Sequence, residues 1–295
     1  MALTDKLTAI GDAIRTKTGG TDPIALADMP AQIEAIETGG DTSMEDGLVT
    51  CTLTEYSNDR VESVGYRAFC DNNTLLSVSF PKVKQIASTA FHQCYKLTTV
   101  NFQEAVTIYS NAFQHCTKLK NVNFPSLTSL YDNVFQGCKE LTNMSLPSLE
   151  SCSGDNQFRE CTALETVDMP SMTSFNNSAF YGCTKLNSVN IPAAKSVGVY
   201  MFYNCSALKT LELPSVTTIN FGAFQNCTTL TALVLRGVTV CTLTGIEAFT
   251  STPIASGTGY IYVPDALVDD YKAATNWSTY ADQIKPLSEY VEVSA

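Results

Sequence analysis

The sequence predicts an α/β repeat solenoid, a coil in which short strands from successive turns stack into one parallel sheet. Three observations predict it. A phenylalanine recurs at steps of 22 or 23 residues, a cysteine and a leucine follow it in phase, and a short alternating apolar segment closes each unit. Since seven in-phase copies of a multi-position pattern do not arise by chance, we interpret each copy as one turn of a coil.

The repeated unit reads A-F-x-x-C-x-x-L-x-x-V-x-F-P, and a further apolar residue and a short polar turn complete it. The phenylalanines are Phe69, Phe91, Phe113, Phe135, Phe158, Phe180, Phe202 and Phe224. The cysteines are Cys94, Cys116, Cys138, Cys161, Cys183, Cys205 and Cys227, and the leucines are Leu97, Leu119, Leu141, Leu164, Leu186, Leu208 and Leu230. A unit alone cannot bury these groups, so we expect ladders within one core shared by neighbouring turns.

The end of each unit predicts a strand, because segments such as Val100-Asn101-Phe102 alternate apolar and polar residues with period two. A proline follows most of these segments and ends the strand, since proline has no N–H for the ladder. These prolines are Pro125, Pro147, Pro170, Pro192 and Pro214. The one additional residue lies within 151–155, where we expect a loop insertion on the outer face.

Both ends of the chain depart from the repeat, and a solenoid needs caps over its terminal turns. We predict four regions: a helical hairpin at 1–40, a linker and first strand at 41–58, the solenoid at 59–258 and a C-terminal cap at 259–295. The cap is predicted as a strand at 259–264 and a helix at 265–275, with Trp277 packing over the final turn. A ligand site centred on Trp277 is the alternative. For residues 1–38, capping of the first repeat and a docking or self-association role stay open.

Net charge and hydropathy exclude some classes of binding partner. The formal net charge is −11 and only 16% of residues are charged, so a phosphate backbone or an anionic membrane would be repelled. No stretch approaches the roughly 18 apolar residues that a membrane helix needs, and the first residues do not form a standard signal peptide. We therefore expect no nucleic acid partner and no membrane insertion, and a location on a virion or at the extracellular cell surface.

The repeat pattern resembles the BspA-like (bacterial surface antigen) leucine-rich repeats over roughly residues 60 to 250. The resemblance implies a curved right-handed solenoid and a role in adhesion or binding of host or matrix proteins. Residues 3–36, LTDKLTAIGDAIRTKTGGTDPIALADMPAQIEAI, are similar to leaders of phage tail and structural proteins. That second resemblance implies mounting on a virion through residues 1–38.

Catalytic chemistry finds little support. We predict that the seven repeat cysteines are free, buried thiols that donate weakly to backbone carbonyls at the turns. A zinc site built from His92, Cys94, His115 and Cys116 is a weak alternative, because the cysteines of the ladder point inward. There is no G-x-S-x-G, P-loop or G-x-G-x-x-G motif and no paired-carboxylate pattern. We expect no enzymatic activity, no cofactor and no metal.

Two surfaces are candidates for binding a protein or glycan receptor. The strand face consists of the exposed strand positions, whose side chains are small and polar. Its candidate residues are Asn101, Asn123, Asp168, Asn190 and Glu212. The turn rim lies before each ladder phenylalanine; its candidates are Tyr109, Tyr131, Asp132, Asn176, Asn177, Tyr200 and Phe221. Exposed aromatic groups on a rigid edge are good anchors, although these residues could instead only cover the outer core. The resulting hypothesis is a non-enzymatic recognition protein, phage-tail-associated or on a cell surface, with a structural virion subunit as the alternative.

Overall fold

The computed structural model describes residues 43–44 and 54–291, which build a parallel β-solenoid with little helix. Each turn carries a front strand, formed by the V-x-F segment, and most turns carry a two-residue back strand. The front strands are β2 (Glu55–Ser57), β4 (Ser77–Ser79), β6 (Thr99–Asn101), β8 (Asn121–Asn123), β10 (Asn143–Ser145), β12 (Thr166–Asp168), β13 (Ser188–Asn190), β15 (Thr210–Leu213), β17 (Ala232–Leu235), β19 (Tyr260–Val263) and β20 (Ile284–Pro286). The back strands are β1 (Ser43–Met44), β3 (Ser63–Val64), β5 (Gln85–Ile86), β7 (Thr107–Ile108), β9 (Ser129–Leu130), β11 (Ser151–Cys152), β14 (Ser196–Val197), β16 (Thr218–Ile219) and β18 (Thr242–Leu243).

All strand pairs described are parallel, and residues one repeat apart lie side by side, as Val78 does with Val100. The front strands form three ladders, β2-β4-β6-β8, β10-β12-β13 and β15-β17-β19-β20, and the back strands form β1-β3-β5-β7-β9-β11 and β14-β16-β18. The front ladder breaks after β8 and after β13, where Val122 and Val189 are only half-buried. The parallel-sheet solenoid and its 22-residue period are therefore confirmed.

The α/β character of the prediction is corrected. Within 54–291 the α-helix is confined to α1 (Val268–Ala273), and short 3-10 helices lie at Ile246–Phe249, Asp265–Leu267, Trp277–Gln283 and Leu287–Glu289. The third side of each repeat consists of tight turns with a left-handed residue two positions before and two positions after the ladder phenylalanine. Around Phe113, for example, Asn111 has φ 62° and His115 has φ 61°. A left-handed residue ends any helical run, so these turns replace a helix. The predicted helical module at 1–40 lies outside the described residues.

The core is a set of ladders along the solenoid axis. Consecutive ladder phenylalanines stack nearly parallel, with ring centroids 4.8 Å apart for Phe69–Phe91 and 5.5 Å apart for Phe113–Phe135. The strand phenylalanines Phe80 and Phe102 form a second column inside the coil. Offset aromatic pairs of this kind contribute about 0.5–1.5 kcal/mol each beyond the apolar area they bury.

The additional residue at 151–155 forms a bulge in the turn that follows β11. The carboxylate of Asp132 accepts the backbone N–H of Asp155 at 2.8 Å, and buried Gln157 donates to the carbonyl of Gly154. A Cβ on Gly154 would lie 2.4 Å from Oδ1 of Asp132. The insertion is thus fixed by one side chain of the preceding turn, Asp132, and by one of its own turn, Gln157.

The C-terminal residues cover the last repeat. Trp277 is fully buried and donates Nε1–H to the carbonyl of Cys241, while the Tyr271 hydroxyl accepts the N–H of Cys241 at 2.9 Å. The ring of Trp277 lies 6.0 Å from Phe249, the last rung of the phenylalanine ladder. The chain then returns to the sheet as β20, one strand beyond the strand predicted at 259–264.

Within the described residues, no helix combines the length and the hydropathy needed to cross a membrane.

Candidate binding surfaces

The repeat cysteines are part of the core. Each of the seven is fully buried and its Sγ–H donates to the carbonyl of a ladder phenylalanine in the preceding turn, as Cys116 does to Phe91 at 3.0 Å. Burial raises the pKa of Cys161 and of Cys227 to about 12. Cys161 and Cys227 are therefore protonated hydrogen-bond donors near neutral pH, a poor state for nucleophilic chemistry.

Asn72 and Thr252 occupy the cysteine position at the two ends of the described ladder. Asn72 is buried and its Oδ1 accepts the backbone N–H groups of Thr74 and Leu75, each at 3.0 Å. The Thr252 hydroxyl donates to the carbonyl of Phe249 at 2.6 Å. Asparagine, threonine and cysteine at this position thus all form a hydrogen bond to the backbone of a turn.

The zinc set considered from the sequence does not assemble. Cys94 and Cys116 are directed at backbone carbonyls inside the coil, whereas the rings of His92 and His115 pack against each other outside, with centroids 6.2 Å apart. His92 instead approaches Cys70, whose Sγ lies 3.9 Å from its Nδ1. Burial lowers the pKa of His92 and raises that of Cys70 to about 11.

The strand-face candidates fall into three groups. Asn123 donates to Asn101 Oδ1 at 2.7 Å, and Asn190 donates to Asp168 Oδ1 at 2.7 Å. Glu212 accepts from Arg236 at 3.2 Å. The two breaks in the front ladder separate these groups, so the structure does not join them into one site. Their polar atoms are largely used between turns.

Sequence reasoning missed an aromatic group at the C-terminal end of the strand face. Tyr260 and Tyr262 extend outward from β19, and the Tyr262 ring lies 4.9 Å from that of Tyr290. The ammonium of Lys285 lies 5.6 Å from the centroid of Tyr260. The signal was present in Tyr260-Ile261-Tyr262, because period two places both tyrosines opposite the inward isoleucine.

Two turn-rim candidates accept hydrogen bonds from the backbone of the next turn. The Asn177 side chain accepts the N–H of Val199 at 3.2 Å, and Asp132 accepts the N–H of Asp155 as described above. Asn176 is exposed, and its carbonyl passes so close to Gly198 that a Cβ there would lie 2.3 Å away. Asp132 and Asn177 therefore have a structural role in addition to any contact with a receptor.

The aromatic rim residues come together in two places. Tyr109 and Tyr131 pack with centroids 5.0 Å apart. Farther along, Tyr200 contacts Phe221 edge-on at 5.4 Å, and Phe221 is 40% exposed.

The second pair continues into a longer surface that we call the aromatic row: Arg159, Tyr181, Tyr203, Tyr200 and Phe221. The Arg159 guanidinium lies 4.2 Å from the Tyr181 ring, Tyr181 stacks on Tyr203 at 4.4 Å, and Tyr203 meets Tyr200 edge-on at 5.7 Å. The signal for Tyr181 and Tyr203 was their position directly after a ladder phenylalanine, which aligns them in one column.

Stacked parallel strands around phenylalanine, leucine and cysteine ladders define the class of leucine-rich-repeat solenoids. The family model of the BspA type leucine rich repeat region matches residues 49–161 and 151–258, in six copies. These matches cover well over half of the chain, which therefore belongs to the BspA-type leucine-rich-repeat family. A search of curated proteins found no match.

One solved structure supports the fold, and two others are similar in sequence. A leucine rich cell surface protein from Faecalibacterium prausnitzii is 22% identical with a TM-score of 0.51, and the match covers 63% of this chain and 64% of that one. This chain thus spans less than two thirds of that relative. A leucine rich repeat protein from T. pallidum is 26% identical over 57% of this chain and 79% of that one, with a TM-score of 0.45. A leucine-rich repeat protein from Bacteroides ovatus is 20% identical over 83% and 75%, with a TM-score of 0.47.

Proposed function

We propose that this chain is a non-enzymatic adhesion protein that binds a protein or glycan receptor through the aromatic row, at a cell surface. The observation that carries the proposal is the row itself, in which four aromatic rings and a guanidinium are in continuous contact across neighbouring turns. Tyrosine and arginine are the residue types enriched at energetic centres of protein interfaces, and tyrosine rings also stack on sugars.

The rigidity of the row supports this choice over the strand face. Its rings are fixed by one another and by the repeat backbone, so little side-chain entropy is lost when a partner binds. The amides of the strand face already pair between turns. Displacing those hydrogen bonds would offset most of what new contacts contribute.

Family membership supports a surface role. The Faecalibacterium relative is described as a cell surface protein. The net charge of −11 favours a receptor other than nucleic acid or an anionic bilayer. In this proposal no cofactor takes part.

The test is binding of the full-length chain to a glycan array and to a panel of immobilised matrix proteins. Two row variants, Tyr203→Ala and Phe221→Ala, are compared with the strand-face variant Asn190→Ala and the second rim variant Tyr109→Ala. We expect the row variants to lose at least tenfold in affinity while both controls retain wild-type binding. Loss in Asn190→Ala alone would place the receptor on the strand face and overturn this assignment.

A second candidate is a tail-associated receptor-binding protein of a phage or prophage. The resemblance of residues 3–36 to tail-protein leaders favours it. Under this proposal residues 1–38 mount the protein on the particle and the solenoid contacts the host. Deletion of residues 1–40 should abolish incorporation into particles while binding by the aromatic row persists. Unchanged incorporation would reject the mounting role, and incorporation without any cell binding would indicate a structural virion subunit.

A further inference from the structure

We propose that Cys70, Asp71 and His92 form a binding site for zinc or a similar transition metal ion on the outer turns of the first two repeats. Candidate ligand atoms of all three residues lie within 4.8 Å of one another. Sγ of Cys70 is 3.3 Å from Oδ2 of Asp71 and 3.9 Å from Nδ1 of His92.

These separations match a coordination shell. Zinc binds thiolate sulfur at about 2.3 Å and imidazole nitrogen or carboxylate oxygen at about 2.0–2.2 Å, so the edges of a tetrahedron measure about 3.5 Å. Both separations from the Cys70 sulfur are close to this edge length, and Asp71 and His92, whose ligand atoms lie within 4.8 Å of each other, close around the ion by a side-chain movement of at most about 1.3 Å.

The repeat backbone explains how these residues meet. Cys70 and His92 each follow a ladder phenylalanine and are 22 residues apart, so they occupy one column on adjacent turns. Asp71 has a left-handed backbone with φ 61°, and its carboxylate accepts the Sγ–H of the neighbouring Cys70 at 3.3 Å. His115 is left outside the site, since its Nδ1 is directed at Gly137, one turn farther along.

The types of ligand atom determine which metal ion the site prefers. A thiolate, an imidazole and a carboxylate suit zinc or cobalt, whereas magnesium and calcium prefer oxygen ligands alone. Arg67 contacts Asp71 at 3.6 Å, but both side chains are more than half exposed. Such an ion pair is weak in water, and the metal replaces it. Three protein ligands leave a fourth position for water or a partner group.

Metal binding would join two adjacent turns near the N-terminal end of the described solenoid. An ion that binds only the folded form raises the apparent stability by mass action. We therefore expect zinc to bind one ion per chain and to raise the melting temperature of the full-length protein.

The experiment titrates reduced, full-length protein with Zn²⁺ by calorimetry and with Co²⁺ by absorption spectroscopy, where a sulfur-to-cobalt charge-transfer band reports thiolate ligation. Cys70→Ser and His92→Gln should weaken Zn²⁺ binding at least about a hundredfold and remove the thermal shift. Asp71→Asn, a change at the exposed surface, should also weaken binding. The charge-transfer band should vanish in Cys70→Ser.

Cys51→Ser and His115→Gln are the controls, because they remove the cysteine nearest in sequence and the other histidine. Both should bind Zn²⁺ as the wild type does, and Mg²⁺ and Ca²⁺ should leave the melting temperature unchanged. Circular dichroism verifies that each variant is folded. The proposal is overturned if wild-type protein binds no Zn²⁺, if Cys70→Ser retains binding, or if binding is lost in either control.

Discussion

At the scale of single residues, the buried thiols make the solenoid sensitive to alkali. Burial holds the pKa of Cys161 near 12, whereas a thiol in the unfolded chain ionises near 8.5. The folded state therefore binds more protons above that pH. The stabilising contribution is complete below about pH 8.5 and is lost as the pH rises toward about 12.

We expect the free energy of unfolding to fall between pH 8 and pH 10, by about 1.4 kcal/mol for each pH unit above 8.5 and for each thiol whose pKa burial raises, such as Cys161 and Cys227. Urea unfolding in reducing buffer, followed by fluorescence of the single tryptophan, measures the slope. Cys161→Ala should decrease the slope by about one proton. Equal stability at pH 8 and pH 10 would show that the thiols are not protonated core groups.

Gly222 illustrates a residue fixed by the neighbouring turn. Its φ is +61°, and an added Cβ would lie 2.3 Å from Cε1 of Tyr200. We predict that Gly222→Ala destabilises the protein by about 1–3 kcal/mol, through backbone strain and displacement of the Tyr200 ring. Thermal melts and near-ultraviolet circular dichroism of the tyrosines measure the two effects.

Gly237→Ala is the matched control, because the nearest atoms to its added Cβ are 3.6 Å away and its φ is not left-handed. Its melting temperature should stay close to that of the wild type. A Gly222→Ala variant as stable as Gly237→Ala would mean that the Tyr200 ring moves without cost, and that the aromatic row is not rigid.

At the scale of elements, the C-terminal cap depends on Trp277. Its indole covers Phe249 and donates to the Cys241 carbonyl. Trp277→Ala should cost about 3–5 kcal/mol through lost burial and the cavity that remains. Trp277→Phe should cost less because it keeps an aromatic ring at this position. We expect it to cost about 1–3 kcal/mol, since the hydrogen bond to the Cys241 carbonyl is lost.

Urea unfolding monitored by circular dichroism compares these variants with Ser278→Ala, whose side chain is exposed. We expect the exposed variant to match the wild type. Should Trp277→Ala unfold at the wild-type urea concentration, the indole would have no capping role, and the ligand-site interpretation of Trp277 would gain support.

Sequence periodicity predicted the front strands because they satisfy two constraints at once. Val100 points inward between the polar residues Thr99 and Asn101, and the V-x-F segment recurs in phase. Back strands such as Thr107–Ile108 contain two residues, with one inward side chain. Two residues give no periodic signal, so the sequence showed the apolar position but not the strand.

The sequence also contained a signal that the third side of each repeat is a turn and not a helix, but the variety of residue types at these positions obscured it. Asn111, Asn133, Gly182 and Asn204 occupy the positions two residues from a ladder phenylalanine, and all have positive φ. Asparagine and glycine tolerate that conformation best. Histidine, threonine and tyrosine share the same columns elsewhere, as Thr89 and Tyr200 do, which hid the rule that excludes a helix.

The candidate surfaces were predicted less completely than the fold. Tyr109, Tyr131, Tyr200 and Phe221 were singled out as aromatic rim residues, and the structure places them in contact in pairs. The partnership of Tyr200 with Tyr203 depends on an edge-on contact across the ladder turn. Such a contact follows from turn geometry, which a repeat alignment does not provide.

At the scale of the whole molecule, a solenoid is stabilised by each turn and its neighbours, so whole turns should be removable. Deleting residues 103–124 removes one 22-residue period and joins Phe102 to Pro125, in the phase that other repeats show. We expect this deletion variant to fold. The slope of its free energy of unfolding against urea concentration should fall by about a tenth, since less surface is exposed on unfolding. Deleting only residues 103–113 shifts polar residues into the ladders and should prevent folding. Circular dichroism and urea unfolding distinguish the two. Because the aromatic row starts at Arg159, the 22-residue deletion should also leave receptor binding intact. An unfolded 103–124 deletion would show that the breaks in the front ladder, and not the single turn, delimit the cooperative units of this solenoid.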